Sequence, residues 1–186
     1  MPYRRPRPYA ESMIQIGAKP ATIDTPIEHL EACHRRIEQR LETLVRAADY
    51  LAADSVRAAQ AIDQSFHFLD TSGVMHTADE EESLFPRLEP LLSRAEIEFV
   101  DSLEAQHREI ETAYAELKTR AAAVSAEPVS EQVEPYRECA ERLRGMYRRH
   151  IQAEDEVLMA LAKRLLGGKE IEQIAEEMKS RRAAPA

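Results

Sequence analysis

The sequence has no tryptophan, four phenylalanines and only five glycines in 186 residues. A β-sandwich or a glycine-rich barrel lacks its usual core and turn residues at that composition. Cysteine is nearly absent as well. Cys33 and Cys139 lie far apart and form no Cys-x-x-Cys pair, which removes the common zinc and dithiol readings and a disulfide framework. No stretch approaches the ~18 consecutive apolar residues of a membrane span. The opening residues Met1 to Tyr9 are basic and proline-rich, without the apolar run of a secretory leader. Acidic residues outnumber basic ones by 34 to 25, and the net charge of -9 speaks against nucleic acid as a partner. The expectation is a soluble cytoplasmic protein that binds neither membrane nor nucleic acid.

What is abundant is Ala, Glu, Leu and Arg, the composition of long helices, in a chain of single-domain length. Thr25-Pro26-Ile27-Glu28 reads as a capping box with proline at the first helical position. A seam then runs through Ile27, Leu30, His34, Ile37, Leu41 and Leu44 at steps of three and four. A second seam passes through Ile62, Phe66, Leu69, His76, Glu80, Leu84 and Leu88, with Gly73 as a point of bending and Pro86 and Pro90 near its end. Ser93 to Glu96 forms another capping box, before Val100, Leu103, His107, Ile110, Tyr114 and Leu117. Pro128 breaks that pattern. The fourth seam contains Leu143, Met146, His150, Val157 and Leu161, and Gly167-Gly168 ends it; Pro135 leaves its start open. The fold expected is all-α: an up-down-up-down four-helix bundle over residues 25–168. A basic arm (1–24) precedes it, and a short amphipathic fifth helix with a tail (169–186) follows.

Four histidines interrupt these apolar seams, one per helix. If the turns are short, a residue's height is set by its distance from the turn, at about 1.5 Å per residue. The midpoints of 34 and 76, of 76 and 107, and of 107 and 150 fall at 55, between 91 and 92, and between 128 and 129. These are the three turns that capping and periodicity place independently. His34, His76, His107 and His150 therefore sit at one level and face the axis. Four imidazoles buried among leucines need partners for their nitrogens, and a cation uses all four at once.

His76-x-x-x-Glu80 and His150-x-x-x-Glu154 each add a carboxylate one turn along the same face. Four nitrogens and two carboxylates exceed one tetrahedral site and suit two bridged ions. Mixed nitrogen and oxygen ligation favours iron or manganese over structural zinc, although zinc also fits. A competing pattern is Glu31-x-x-His34 with Glu104-x-x-His107, the spacing of ferritin-like dimetal bundles. It leaves His76 and His150 unexplained.

The run His76-x-x-x-Glu80-Glu81-x-x-Leu84-Phe85-Pro86, with single histidines on the first and third helices and His150-x-x-x-Glu154 on the fourth, resembles the hemerythrin-like HHE cation-binding proteins. The resemblance covers about Thr25 to Leu166. It implies a non-haem di-iron centre with His34, His76, Glu80, His107, His150 and Glu154 as ligands, and Glu81 as a candidate extra ligand. The oxygen carriers of that family use two histidines four apart on the third helix. Here that pair reads His107-x-x-x-Glu111, which makes Glu111 or water the substitute and favours the ferric state over reversible oxygen carriage.

The function expected is the binding or sensing of oxygen, nitric oxide or iron, more a metal- and gas-binding protein than an enzyme. An enzyme acting on oxygen, peroxide or nitric oxide is the alternative. His29 and His67 fall off the seams and are expected at the surface. Glu38, Asp79 and Glu82 are expected on charged, solvated faces, and Cys33 as a packing residue beside a ligand. Oligomeric state has no signal in the sequence.

Overall fold

The computed structural model describes residues 22–126 and 130–183, and every regular element there is a helix. Most of the basic arm, and the break at Pro128, lie outside the described residues. Helix α1 (Pro26–Tyr50) begins on its proline, as expected. The capping box does not form: the Thr25 hydroxyl donates to the Thr22 carbonyl at 3.1 Å, turned back into the preceding turn.

Helix α2 occupies residues 55–91. Asp54 caps it, accepting the Arg57 N–H at 3.1 Å. Two turns, Leu69–Gly73 and Glu80–Leu84, are wound as π helix, and Glu89–Leu91 closes the helix in a tighter 3-10 turn. Helix α3 (Arg94–Ala126) starts on the capping box read from the sequence, with the Ser93 N–H donating to Glu96 at 2.7 Å and the Glu96 N–H to the Ser93 hydroxyl at 3.4 Å. Helix α4 occupies residues 130–165, contains Pro135, and has one π turn at Glu154–Leu158. Leu166 then takes an extended backbone, and helix α5 (Gly168–Ala183) follows.

Helix α1 packs along α2 and α4, and α3 along α4, the neighbour relations of an up-down-up-down bundle. The first two turns fall at residues 51–54 and 92–93, within about one residue of the histidine midpoints. The third lies outside the described residues, between Ala126 and Ser130.

The interior is two apolar clusters rather than one. Ile37, Leu41, Leu44, Ile62, Leu117 and Leu143 belong to the upper cluster. Leu30, Leu84, Leu88, Leu103, Leu158 and Met178 belong to the lower one, which α5 helps to close. Between them lies the layer of seam histidines. In the upper cluster the fully buried Tyr136 hydroxyl donates to the Leu44 carbonyl at 2.8 Å and ties α4 to α1. Tyr136→Phe should lower stability by about 1 kcal/mol, the net worth of one such bond. A shift in urea midpoint at unchanged slope checks this.

Val157 and Asp79 depart from the sequence reading in their burial. Val157, expected on the fourth seam, is 40 % exposed, and Leu158 is buried in its place. The π turn beginning at Glu154 takes up one extra residue and moves the seam along by one. Asp79, expected in solvent, is completely buried. It accepts from Arg182 at 2.6 Å and pairs with Arg181, so α5 is held to α2 by an ion cluster beside Glu80. Arg87 adds a second clamp, donating to Glu177 of α5 at 2.7 Å.

Candidate metal centre

Steps of four residues drift by about 40° each around an ideal α-helix. His76, Glu80, Leu84 and Leu88 would therefore wind off the seam, as would His150, Glu154, Leu158 and Ala162. The π turns start at Glu80 and at Glu154, and in both helices they bring the following leucine back onto the buried face. Turns of this type are frequent at functional sites.

Six side chains meet between the two apolar clusters. His34 Nε2 lies 3.7 Å from Glu80 Oε1 and 3.2 Å from Glu154 Oε2, and His76 Nε2 lies 3.5 Å from Glu80 Oε1. On the other side, His107 Nε2 is 3.6 Å from Glu80 Oε2 and 3.7 Å from Glu154 Oε1, while His150 Nε2 is 3.0 Å from Glu154 Oε1. Each carboxylate turns one oxygen to each histidine pair. The result is two overlapping groups, His34 with His76 and His107 with His150, both sharing Glu80 and Glu154, with the potential ligand atoms of each group within 4.8 Å of one another.

A cation pair fits these residues because the site is otherwise unsatisfied. All four oxygens of Glu80 and Glu154, together with His34 Nε2 and His107 Nε2, are buried and make no hydrogen bond. Buried polar atoms left unpaired in this number are costly. Behind the rings, the opposite nitrogens are mostly held: His34 Nδ1 by Asp155 at 2.7 Å, His107 Nδ1 by Glu81 at 2.7 Å and His150 Nδ1 by Gln106 at 3.1 Å. A proton on Nδ1 leaves Nε2 free to ligate, the usual arrangement behind metal-binding imidazoles.

The model of the hemerythrin HHE cation-binding domain matches residues 25–162. The chain belongs to this family. An uncharacterized protein of Haemophilus influenzae is 30% identical over 89 residues, which cover 47% of this chain and 51% of that protein. The match thus spans about half of that relative's length.

Within this HHE domain, Glu81 and Glu111 stand apart from both four-residue groups. Glu81 holds the back of His107, and Glu111 is exposed. Both line a cavity of about 320 Å³ between α2 and α3 that reaches His107 and is walled by Leu69, Val74, Tyr114 and Tyr147. Tyr114 is tied back by Asp70, which accepts its hydroxyl at 2.9 Å. The ferritin-like pattern is not realised, since Glu31 pairs with Lys163 and Glu104 with Arg108. Glu38 pairs with Arg35 at 3.6 Å, and His67 is exposed. His29 is half-buried rather than at the surface and lies outside both groups.

Sequence reasoning missed Asp155 and Gln106, and for Asp155 a signal exists. Leu30-Glu-Ala-Cys33-His34-Arg-Arg-Ile-Glu38 and Leu103-Glu-Ala-Gln106-His107-Arg-Glu-Ile-Glu111 agree at seven of nine positions. His76 to Leu84 and His150 to Leu158 likewise share histidine, glutamate, acidic residue, glutamate and leucine at the same offsets. The bundle is two similar hairpins, so the role of Glu81 towards His107 predicts that of Asp155 towards His34.

Without cations, protons occupy the HHE site. Burial disfavours a charged His34, but the Asp155 carboxylate that accepts its Nδ1 proton and the nearby carboxylates of Glu154 and Glu80 override it and push the imidazole up to about 12. Burial likewise opposes charge on His107, while Glu154, Glu80 and Glu81 raise it to about 9. Burial, and then the neighbouring charge of Glu154, lift Glu80 to about 8. Burial and the adjacent histidines hold His76 well below its ordinary value. For the two raised histidines, the stability they contribute to the metal-free protein is present below the unfolded value of 6.5. It is lost as pH rises through about 9 for His107 and towards about 12 for His34. A cation must displace these protons. Metal affinity should rise from pH 7 to pH 9, with protons released on binding, measurable by calorimetry in buffers of different ionisation enthalpy. A pH-independent affinity would contradict this.

Proposed function

We propose that this protein is a metal-dependent binding or sensing protein of the cytoplasm. Its two ions, iron in the cell, are held by His34, His76, Glu80, His107, His150 and Glu154, and they bind a small ligand such as oxygen or nitric oxide. The observation that carries this reading is the pair of shared carboxylates, each oxygen turned to a different histidine pair. Bound iron would supply open coordination positions and a change of oxidation state. The protein's own part is to fix the imidazoles from behind, to exclude bulk water with the two apolar clusters, and to admit a small molecule along the cavity that reaches His107.

Glu111, on the cavity wall, stands where an oxygen carrier of this family keeps a further histidine. Its negative charge on the cavity that reaches His107 favours a ferric centre and a sensing or iron-handling role over reversible carriage. Zinc and manganese suit the same donors, so metal content is the first measurement. Anaerobic purification, metal analysis and optical spectra before and after air test the reading. About two irons per chain, with a spectrum that responds to nitric oxide or oxygen, support it. Turnover of peroxide or nitric oxide would favour an enzyme, and absence of stoichiometric metal would overturn the proposal.

A further inference from the structure

We propose that the two metal positions are unequal: the one at His107 and His150 is the tighter, and the one at His34 and His76 fills last and empties first. This rests on the two-ion reading above. Both positions are offered the same donors, two imidazole Nε2 atoms and one oxygen from each of Glu80 and Glu154. They differ in what stands behind the rings.

At the first position, His76 Nδ1 is buried and has no hydrogen-bond partner. Its counterpart in the second hairpin, His150, donates its Nδ1 proton to Gln106 Oε1 at 3.1 Å, the tautomer that ligation through Nε2 also requires. The residue at the Gln106 position in the first hairpin is Cys33, whose side chain ends two bonds earlier. No bond forms between Cys33 and His76, so binding an ion through His76 Nε2 leaves a buried N–H unpaired.

The second pair of counterparts differs in the same direction. Asp155 holds His34 Nδ1 at 2.7 Å but also pairs with Arg35, which draws away part of its negative charge. Glu81 holds His107 Nδ1 at the same 2.7 Å, and among the described residues no lysine or arginine pairs with it. A carboxylate or carbonyl behind a ligating imidazole orients the ring and raises its basicity, and losing such a partner costs roughly tenfold to a hundredfold in metal affinity. Both differences weaken the His34–His76 position, and neither favours it.

The test is an anaerobic titration of the metal-free full chain with Co²⁺, followed by visible absorption and by competition with a chelator. Two dissociation constants separated by about tenfold or more, beyond the statistical factor, are expected. With one equivalent added, the ring N–H resonances broadened or shifted by the paramagnetic ion should be those of His107 and His150. Cys33→Gln supplies the missing partner and should tighten the second step, whereas Gln106→Leu should weaken the first. Arg35→Ala removes an exposed side chain that touches neither ion, so it keeps the test open if the buried Cys33→Gln change does not fold. It should also tighten the second step. Two ions bound with indistinguishable constants, or a first equivalent at His34 and His76, would overturn the inequality while leaving the two-ion reading intact. A chain that binds no cobalt would overturn both.

Discussion

Replacing Glu154 with alanine should empty both metal positions, whereas replacing His76 should empty one. Glu154 presents Oε2 to His34 and Oε1 to His107 and His150, so its loss takes a donor from every ion the site can hold. What remains at each position is two imidazoles and half of Glu80, too few donors for tight binding at neutral pH, where protons compete for the same nitrogens. His76 faces only Glu80 Oε1, on the His34 side. Metal analysis after dialysis against chelator-free buffer should find about two ions per chain in the parent, about one in His76→Ala, and essentially none in Glu154→Ala. His29→Ala should retain both, because His29 belongs to neither group. A Glu154→Ala protein that keeps one ion would show that the carboxylates are not shared. The metal-free Glu154→Ala protein need not be less stable, since the change also removes a buried carboxylate.

The largest loss of stability is expected from the clamp between α2 and α5. Asp79 is fully buried and its two partners, Arg181 and Arg182, are mostly buried. Removing both arginines strands a charge in the interior, which costs about 3–5 kcal/mol, a large part of the ~5–15 kcal/mol that holds a domain of this size together. Asp79→Ala in that background should recover part of the loss, since the stranded charge goes with it. Urea unfolding of the single, double and triple variants measures the coupling. If the arginine double variant unfolds at the parent's midpoint, the cluster adds no net stability and α5 is held by Ile174, Met178 and the Arg87–Glu177 pair.

The histidine layer was legible because it follows from counting. Residue spacing sets height in a bundle with short turns, and apolar periodicity sets which face looks inward. The two carboxylates followed from the four-residue step to Glu80 and Glu154. The π turns were not legible, and they explain why Val157 and Leu158 exchange roles: periodicity read at a fixed pitch cannot register a turn that takes one residue more. Asp79 was misread because its acidic neighbours Glu81 and Glu82 suggested a solvated face, while its partners lie about a hundred residues on, in α5. Thr25 had the right sequence for a cap, but the hydroxyl found a closer carbonyl in Thr22. Asp155 could have been found only by aligning the two hairpins with each other, and Gln106 not even so, since its counterpart is Cys33.

The split of the interior into two apolar clusters bears on how the molecule comes apart. Cooperative unfolding requires that neighbouring regions lose stability together, and apolar contact is the usual coupling between them. Here the layer between the clusters is polar, and His34, Glu80, His107 and Glu154 all carry buried atoms that bond to nothing. Ions that join all four helices at that level would make the bundle one unit. Without them, the lower cluster with α5 and the upper cluster with Tyr136 should behave as separate foldons. Amide exchange in the metal-free protein should then show two classes of slow protons, merging into one when metal is restored.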